Sequence, residues 1–333
     1  PVALSPLDGR PMRYLVGAYA ISPAGDAWNE AAERELYEGL KASPAVRGLE
    51  VPFTGTLHRH DEAWLLRNVR KDWDFVVTLI PGTMGTLGTN KHFGLASTDE
   101  AGRKAALEMA RSANAAIKRL NAAVGRNAVI AVEVQSAPSQ GPAGGAGSTA
   151  AFADSLSELA AWDWQGARIV IEHCDASRAG HPQHKGFLSL TDELAAIAKA
   201  NRTARAPIGV NINWGRSVLE THNVATAAEH IAQARDAGAL SGIIFSGASG
   251  EATPYGAWQD THMPHAPAAG ISHAAAGSLM TEESIESALA ATNGAKLDFL
   301  GVKIAIRPAD APVAARLGMV NDLIKLIERA APK

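Results

Sequence analysis

The sequence predicts an α/β protein, a single (β/α)8 TIM barrel over residues 1–333. Three observations predict it. Short apolar runs alternate with longer stretches of helical periodicity from one end of the chain to the other. There are eight such pairs, the number that closes a parallel barrel. The stretches that follow apolar runs are long, as in barrels whose chemistry sits on loops beyond the strand ends. An open doubly wound sheet is the alternative reading of the same alternation.

Taken in order, the strands are expected at Tyr14–Ile21, Leu49–Thr54, Phe75–Pro81, Val129–Gln135, Arg168–Cys174, Ile208–Trp214, Gly242–Ser246 and Phe299–Ile306. The helices that follow them are expected at Ala27–Ala42, Asp61–Val69, Thr98–Val124, Thr149–Ala161, Leu190–Asn201, Asn223–Ala237, Thr281–Thr292 and Pro312–Ala330. Thr98-Asp-Glu, Thr191-Asp-Glu and Thr281-Glu-Glu place a capping oxygen and acidic side chains at helix starts. Gly125, Gly238 and Gly294 stand where helices should stop. The long connections are Gly82–Ser97, Ser136–Ser148, Asp175–Ser189 and Gly247–Met280. The last is rich in Gly, Pro, Ala and His and reads as a lid-like loop, 247–280, or a subunit contact.

Composition narrows the function classes. Charged residues make up 20% and the net charge is -3, which gives no electrostatic grip on nucleic acid or on an anionic membrane. One cysteine, Cys174, excludes an intrachain disulfide framework and a multi-cysteine zinc site. Pro1 to Met12 lacks the basic-then-apolar pattern of a signal peptide. No run approaches the ~18 apolar residues of a membrane span, so a cytoplasmic protein is expected.

Alternation along each strand separates residues facing the barrel axis from those facing the helices. Val210 and Ile212 suit the helix side, which turns Asn211 and Asn213 inward. Val302, Ile304 and Ile306 do the same for Lys303 and Arg307. Glu133 and Gln135 face in beside Val132 and Val134, and Glu50 and Thr54 beside Leu49, Val51 and Phe53. Ser246 is inward on the seventh strand. On the fifth, either Glu172 or His173 faces the axis, and Glu172 is favoured because His173 shares the parity of Ile169 and Ile171. Charges inside a barrel are costly without partners, so Glu133, Glu172 and Lys303 are candidate catalytic groups. A buried ion-pair network that only fixes the barrel is the structural alternative.

The loops add His58 and His60, Asn90 and His92, and then Trp258, Asp260, His262 and His265. His58-x-His60 and Asp260-x-His262 have a spacing that metals accept, although two-residue spacing alone is weak. Trp214 and Trp258 beside amides and carboxylates suit a sugar, whose C–H faces stack on rings while its hydroxyls bond polar groups. Loop or core packing is the plainer role for these rings and histidines. The expected substrate-binding residues are Glu50, His58, His92, Gln135, His173, Asn211, Asn213, Trp214, Ser246, Trp258, His262 and Arg307, and the expected partner is a small carbohydrate. No Gly-x-Gly-x-x-Gly follows a strand, and no P-loop, Gly-x-Ser-x-Gly or His-Glu-x-x-His is present. Ser246-Gly-Ala-Ser-Gly with Arg307 is a weak phosphate cradle.

Three segments carry a resemblance. Leu49-Glu-Val after Arg47-Gly, Ile169-Val-Ile-Glu172 and Gly301-Val-Lys-Ile resemble the second, fifth and eighth strands of the xylose-isomerase-like superfamily, which includes sugar phosphate isomerases and epimerases. The likeness spans nearly the whole chain and looks like a functionally uncharacterised branch. It implies a divalent metal held by a Glu of the fifth strand, an Asp and a His around the sixth, a His ending the seventh and a Glu ending the eighth. Those places read Glu172, Asn213 with Arg216, Ser246 and Arg307. Glu172 is thus the one retained family-type ligand, and the family ligand set is expected to be lost, with His58, Asp260 and His262 left as weak candidates for a new site. The resemblance also implies pairing through barrel faces, as a homodimer.

Two carboxylates, a lysine and two amides fit an isomerase or epimerase: Glu133 or Glu172 takes a proton next to a carbonyl, and the other acts as acid. A glycoside hydrolase or lyase with paired carboxylates is the second reading. A non-catalytic sugar-binding protein is the third.

Overall fold

The computed structural model describes residues 13–23, 27–141, 144–180 and 182–331. Pro1–Met12, where a signal peptide was not expected, lies outside the described residues. Eight strands close into a barrel in sequence order: β1 Tyr14–Val16, β2 Val46–Pro52, β3 Asp74–Thr78, β4 Val129–Val134, β5 Arg168–His173, β6 Gly209–Asn213, β7 Leu240–Phe245 and β8 Phe299–Val302. The closure pairs β1 with β8 in parallel, Val16 opposite Val302. The helices are α1 Glu30–Ala42, α2 Glu62–Asn68, α3 Ile80–Leu87, α4 Glu100–Val124, α5 Thr149–Ala160, α6 Leu190–Ala200, α7 Trp214–Thr221, α8 Ala225–Asp236, α9 Glu282–Ala291 and α10 Val313–Ala330. None is long and apolar enough to cross a membrane.

The described residues fall into two compact units. One runs to Leu49 and resumes at Ile212–Arg235 and from Gly242 onward; the other is Glu50–Asn211 with Asp236–Ser241. In the second unit, Thr78 lies opposite Glu133, and Glu133 opposite Val170. The long helix α4 shows why these elements form. Asp99 caps it by accepting from the Gly102 N–H, its buried stripe runs Ala106, Ala110, Ala113, Ile117, Leu120 and Val124, and Gly125 ends it in the left-handed region at φ 85°. Asn29, Asp61, Ser148, Ser189 and Thr281 cap their helices in the same way.

Several stretches depart from the sequence expectation, and β1 stops at Val16, five residues short of the expected Ile21. The connection after β3 contains α3, started by Pro81 near its first position; its glycines disguise it as a loop. β6 stops at Asn213, which caps α7, so Trp214 opens a helix rather than ending a strand. β8 stops at Val302, four residues short of the expected Ile306.

Gly94 shows how tightly the connections are built. A Cβ at this position would drive into the backbone of Ala137 and Pro138. Gly94→Ala is therefore expected to cost about 3 kcal/mol or more, read as a lower urea midpoint, because backbone cannot step aside as a side chain can.

Candidate active site

Glu50, Glu133 and Glu172 come from β2, β4 and β5 and are all buried. Each offers a carboxylate oxygen, and these oxygens lie within 4.8 Å of one another. Thr78 Oγ1 of β3 donates to Glu172 Oε2 at 3.1 Å, and Gln135 Nε2 donates to the same oxygen at 3.2 Å. Asn211 Nδ2 of β6 donates to Glu133 Oε1 at 2.8 Å. Five consecutive strands thus aim one polar side chain or more at a shared interior, as their alternation requires.

The same contacts decide the fifth strand. Glu172 faces the axis, while His173 turns to α6 and its Nδ1 lies 2.7 Å from Glu193 Oε2. Glu193, fully buried, also accepts from Ser136 Oγ. Sequence reasoning took Glu193 for a first-turn acid on α6 and missed its role under the site. Only the coincidence of an acid on α6 with an outward His on β5 could have signalled it.

In the other unit, Asn213 is buried, and its side-chain oxygen accepts the Arg216 N–H. Arg216 Nε donates to Asp260 Oδ2 at 3.0 Å, with side chains 2% and 5% exposed. Asp260 Oδ1 lies 3.4 Å from His262 Nδ1, and Ser246 Oγ lies 2.8 Å from the same nitrogen. Lys303 is fully buried just past β8, its Nζ 5.6 Å from the Tyr19 ring centroid. Trp214 is fully buried, so it offers no open ring face. Trp258 is half-buried and stacks on His222 at 4.0 Å. Glu220 and His230 form a further buried group on α7 and α8, with His230 Nδ1 3.0 Å from Ser217 Oγ, and the sequence reading did not single it out.

Other expected residues lie apart from these groups. His92 and Arg307 are exposed, and Thr54 sits exposed in the turn after β2. His58 is half-buried beside Trp64, and its Nδ1 accepts the backbone N–H groups of His60 and Asp61. His273 and Asp322 make a pair of their own near α10, away from any strand end. Burial pushes the Asp322 carboxyl up, but the His273 ring and the N–H groups of Ser272 and His273 outweigh it and hold the group below its ordinary value. A depressed carboxyl stabilises the fold above its unfolded pKa and loses that contribution as pH falls through its folded value. The stability advantage of wild type over Asp322→Asn should therefore hold above about pH 5 and shrink as the pH falls through about 4 and below in urea titrations.

The expectation of a lost metal-ligand set needs correction. Glu50, Glu133 and Glu172 form an intact group able to hold a metal ion. A cluster spread over β2, β4 and β5 is invisible when family positions are matched one strand at a time. The donor set fits a hard divalent cation: all its ligands are oxygens, and the buried amide oxygens Gln135 Oε1 and Asn211 Oδ1 have no hydrogen-bond donor among the described residues. Asp260 suits a cation less well, because the Arg216 guanidinium already sits against it.

A closed parallel barrel with acidic and amide groups inside defines a (β/α)8 TIM-barrel protein. Solved structures share the fold. The IOLI protein with a bound zinc atom matches at a TM-score of 0.60 and 12% identity, over 97% of this chain and 100% of that one. An L-ribulose 3-epimerase matches at 0.59 and 14%, over 96% of each chain. A D-psicose 3-epimerase crystallised with D-fructose matches at 0.52 and 12%, over 89% and 91%. Within this fold the chain belongs to the DUF4862 family, a domain of unknown function, whose model matches residues 15–319. An uncharacterized protein of Salmonella typhimurium is 38% identical over 319 residues, covering 95% of this chain and 97% of its own.

Proposed function

We propose that this protein is a sugar isomerase or epimerase that moves a proton on a carbon next to a carbonyl, with buried carboxylates as acid and base. The observation that carries the proposal is the grouping of Glu50, Glu133 and Glu172 within 4.8 Å in the barrel interior. Three carboxylates this close are not all ionised without a compensating positive charge, so the group holds a proton or a cation at neutral pH. Either state suits proton transfer.

Glu133 or Glu172 removes the proton from carbon, and the other returns it. The Asn211 N–H donates to one Glu133 oxygen at 2.8 Å and so orients the carboxylate. Thr78 and Gln135 hold Glu172 in the same manner. Asn211 serves as an electrophile for the oxygen that gains charge. A divalent cation held by Glu50, Glu133 and Glu172 would supply Lewis-acid polarisation of a substrate oxygen. The epimerase structures that share the fold support the substrate class.

The test is proton NMR of aldoses, ketoses and their acid and phosphate derivatives incubated with the protein in D2O. Loss of a C–H signal next to the carbonyl, with a new sugar formed, supports the proposal. A full panel with no exchange, with and without added Mn2+ or Mg2+, defeats it.

A further inference from the structure

We propose that the side-chain carbonyls of Gln135 and Asn211 read substrate hydroxyls, so that the part of the substrate held beside the carboxylates is an uncharged polyol; this rests on the isomerase reading above. The two ends of each amide are told apart by their partners. Gln135 Nε2 donates to Glu172 Oε2 at 3.2 Å and to the Glu133 backbone carbonyl at 3.4 Å. Asn211 Nδ2 donates to Glu133 Oε1 at 2.8 Å. Turning Gln135 over would set its oxygen against the Glu133 carbonyl, which has no proton to give, and turning Asn211 over would set its oxygen against a carboxylate. The N–H end of each amide is thus committed to the protein.

The carbonyl ends are not. Gln135 is 2% exposed and Asn211 0%, and neither Gln135 Oε1 nor Asn211 Oδ1 meets a hydrogen-bond donor among the described residues. A buried acceptor in that position has lost its hydration without replacement, and it calls for a proton donor from outside the chain. Both amides lie in the same compact unit as Glu50, Glu133 and Glu172. Gln135 directly follows β4, at the strand end where barrel chemistry is built, and Asn211 stands on β6.

A hydroxyl meets that need. A phosphate or a carboxylate offers acceptor oxygens at neutral pH and would face two carbonyls and three acidic side chains. A sugar hydroxyl brings a proton without a charge. Its donation to an amide oxygen polarises the amide and strengthens the N–H bond made at the other end. Two separate pairs result: one hydroxyl acts through Gln135 on Glu172, another through Asn211 on Glu133. The substrate therefore carries two hydroxyls at this end, and any phosphate or acid group it has lies elsewhere. A divalent cation is the other partner an amide oxygen accepts, and the test separates the two.

Two measurements test this. The first needs no turnover: titration calorimetry of the full chain with pentitols and hexitols, which lack the carbonyl that isomerisation needs, with their monodeoxy counterparts, and with inorganic phosphate. An alditol is expected to bind, and loss of a single hydroxyl to weaken it by about 10²-fold or more, with no competition from phosphate. No alditol bound, deoxy counterparts bound equally well, or phosphate displacing the alditol overturns the proposal. The second uses Gln135→Met and Asn211→Leu, which keep the bulk and remove the carbonyl, with urea midpoints to verify folding. The preference for alditol over deoxy counterpart should shrink to within about tenfold while the response to Mg2+ stays as in the wild type. An unchanged preference, or Mg2+ binding lost in the variants, overturns it; if a variant does not fold, the wild-type ranking of alditols decides. C–H exchange in D2O without any hydroxyl preference sinks this inference alone, and hydroxyl preference without exchange sinks the isomerase reading alone.

Discussion

On the proposed isomerase reading, replacing Glu133 with Gln is expected to lower turnover by about 10²–10⁴-fold, the range for loss of a general acid or base. The amide has the shape of the carboxylate, and its oxygen can still accept the 2.8 Å bond from Asn211. Packing on β4 is undisturbed, since Val132 and Val134 face the helices and carry the apolar contact. Removing one of three crowded acids also relieves repulsion, so the melting temperature should fall by no more than ~3 °C. Turnover and thermal unfolding measured on the same preparation check both halves. A variant that unfolds easily would reassign Glu133 to the framework. One that keeps wild-type kcat would remove it from the chemistry.

Glu193→Ala is expected to show the reverse pattern. Glu193 is fully buried on α6 and ties His173 of β5 to Ser136 in the connection after β4. Truncation opens a cavity and takes the carboxylate from a buried imidazole and a buried hydroxyl. Losses of this kind run to about 3–5 kcal/mol. Glu193→Gln keeps the volume and one acceptor and should cost about half as much. Urea midpoints for the two variants check the difference. Equal, small shifts would mean that the His173–Glu193 contact contributes little to folding.

The fold was legible because short strands rich in apolar residues alternate with helices, most of which carry a capping side chain. The misread stretches are those where local cues disagree with the outcome. Pro81, Gly82 and Gly85 look like a turn, yet Pro is at home in a first helical turn and the following residues complete α3. Asn213 looks like a strand residue by parity and a helix cap by chemistry, and it is both. Of the candidate site, the inward set Glu50, Glu133, Glu172 and Asn211 followed from alternation alone, because one side of each strand was plainly aliphatic. The buried partners did not follow. Glu193, Asp260 and Arg216 reach their places through helices and loops, where spacing along the chain says nothing about which strand end lies opposite.

Inside the barrel, the second unit carries Glu50, Thr78, Glu133, Gln135, Glu172 and Asn211, where many barrels stack branched aliphatics. Its cohesion must then come from the layer between strands and helices, where Val77, Val132, Ile171 and Ile117 are buried. Heritable change can therefore act on the two layers separately. Drift in the lumen would alter its polar chemistry while the molecule still assembles, whereas drift in the outer jacket would erode assembly and leave that chemistry unchanged. A lineage built this way can vary its interior without first acquiring a sturdier scaffold.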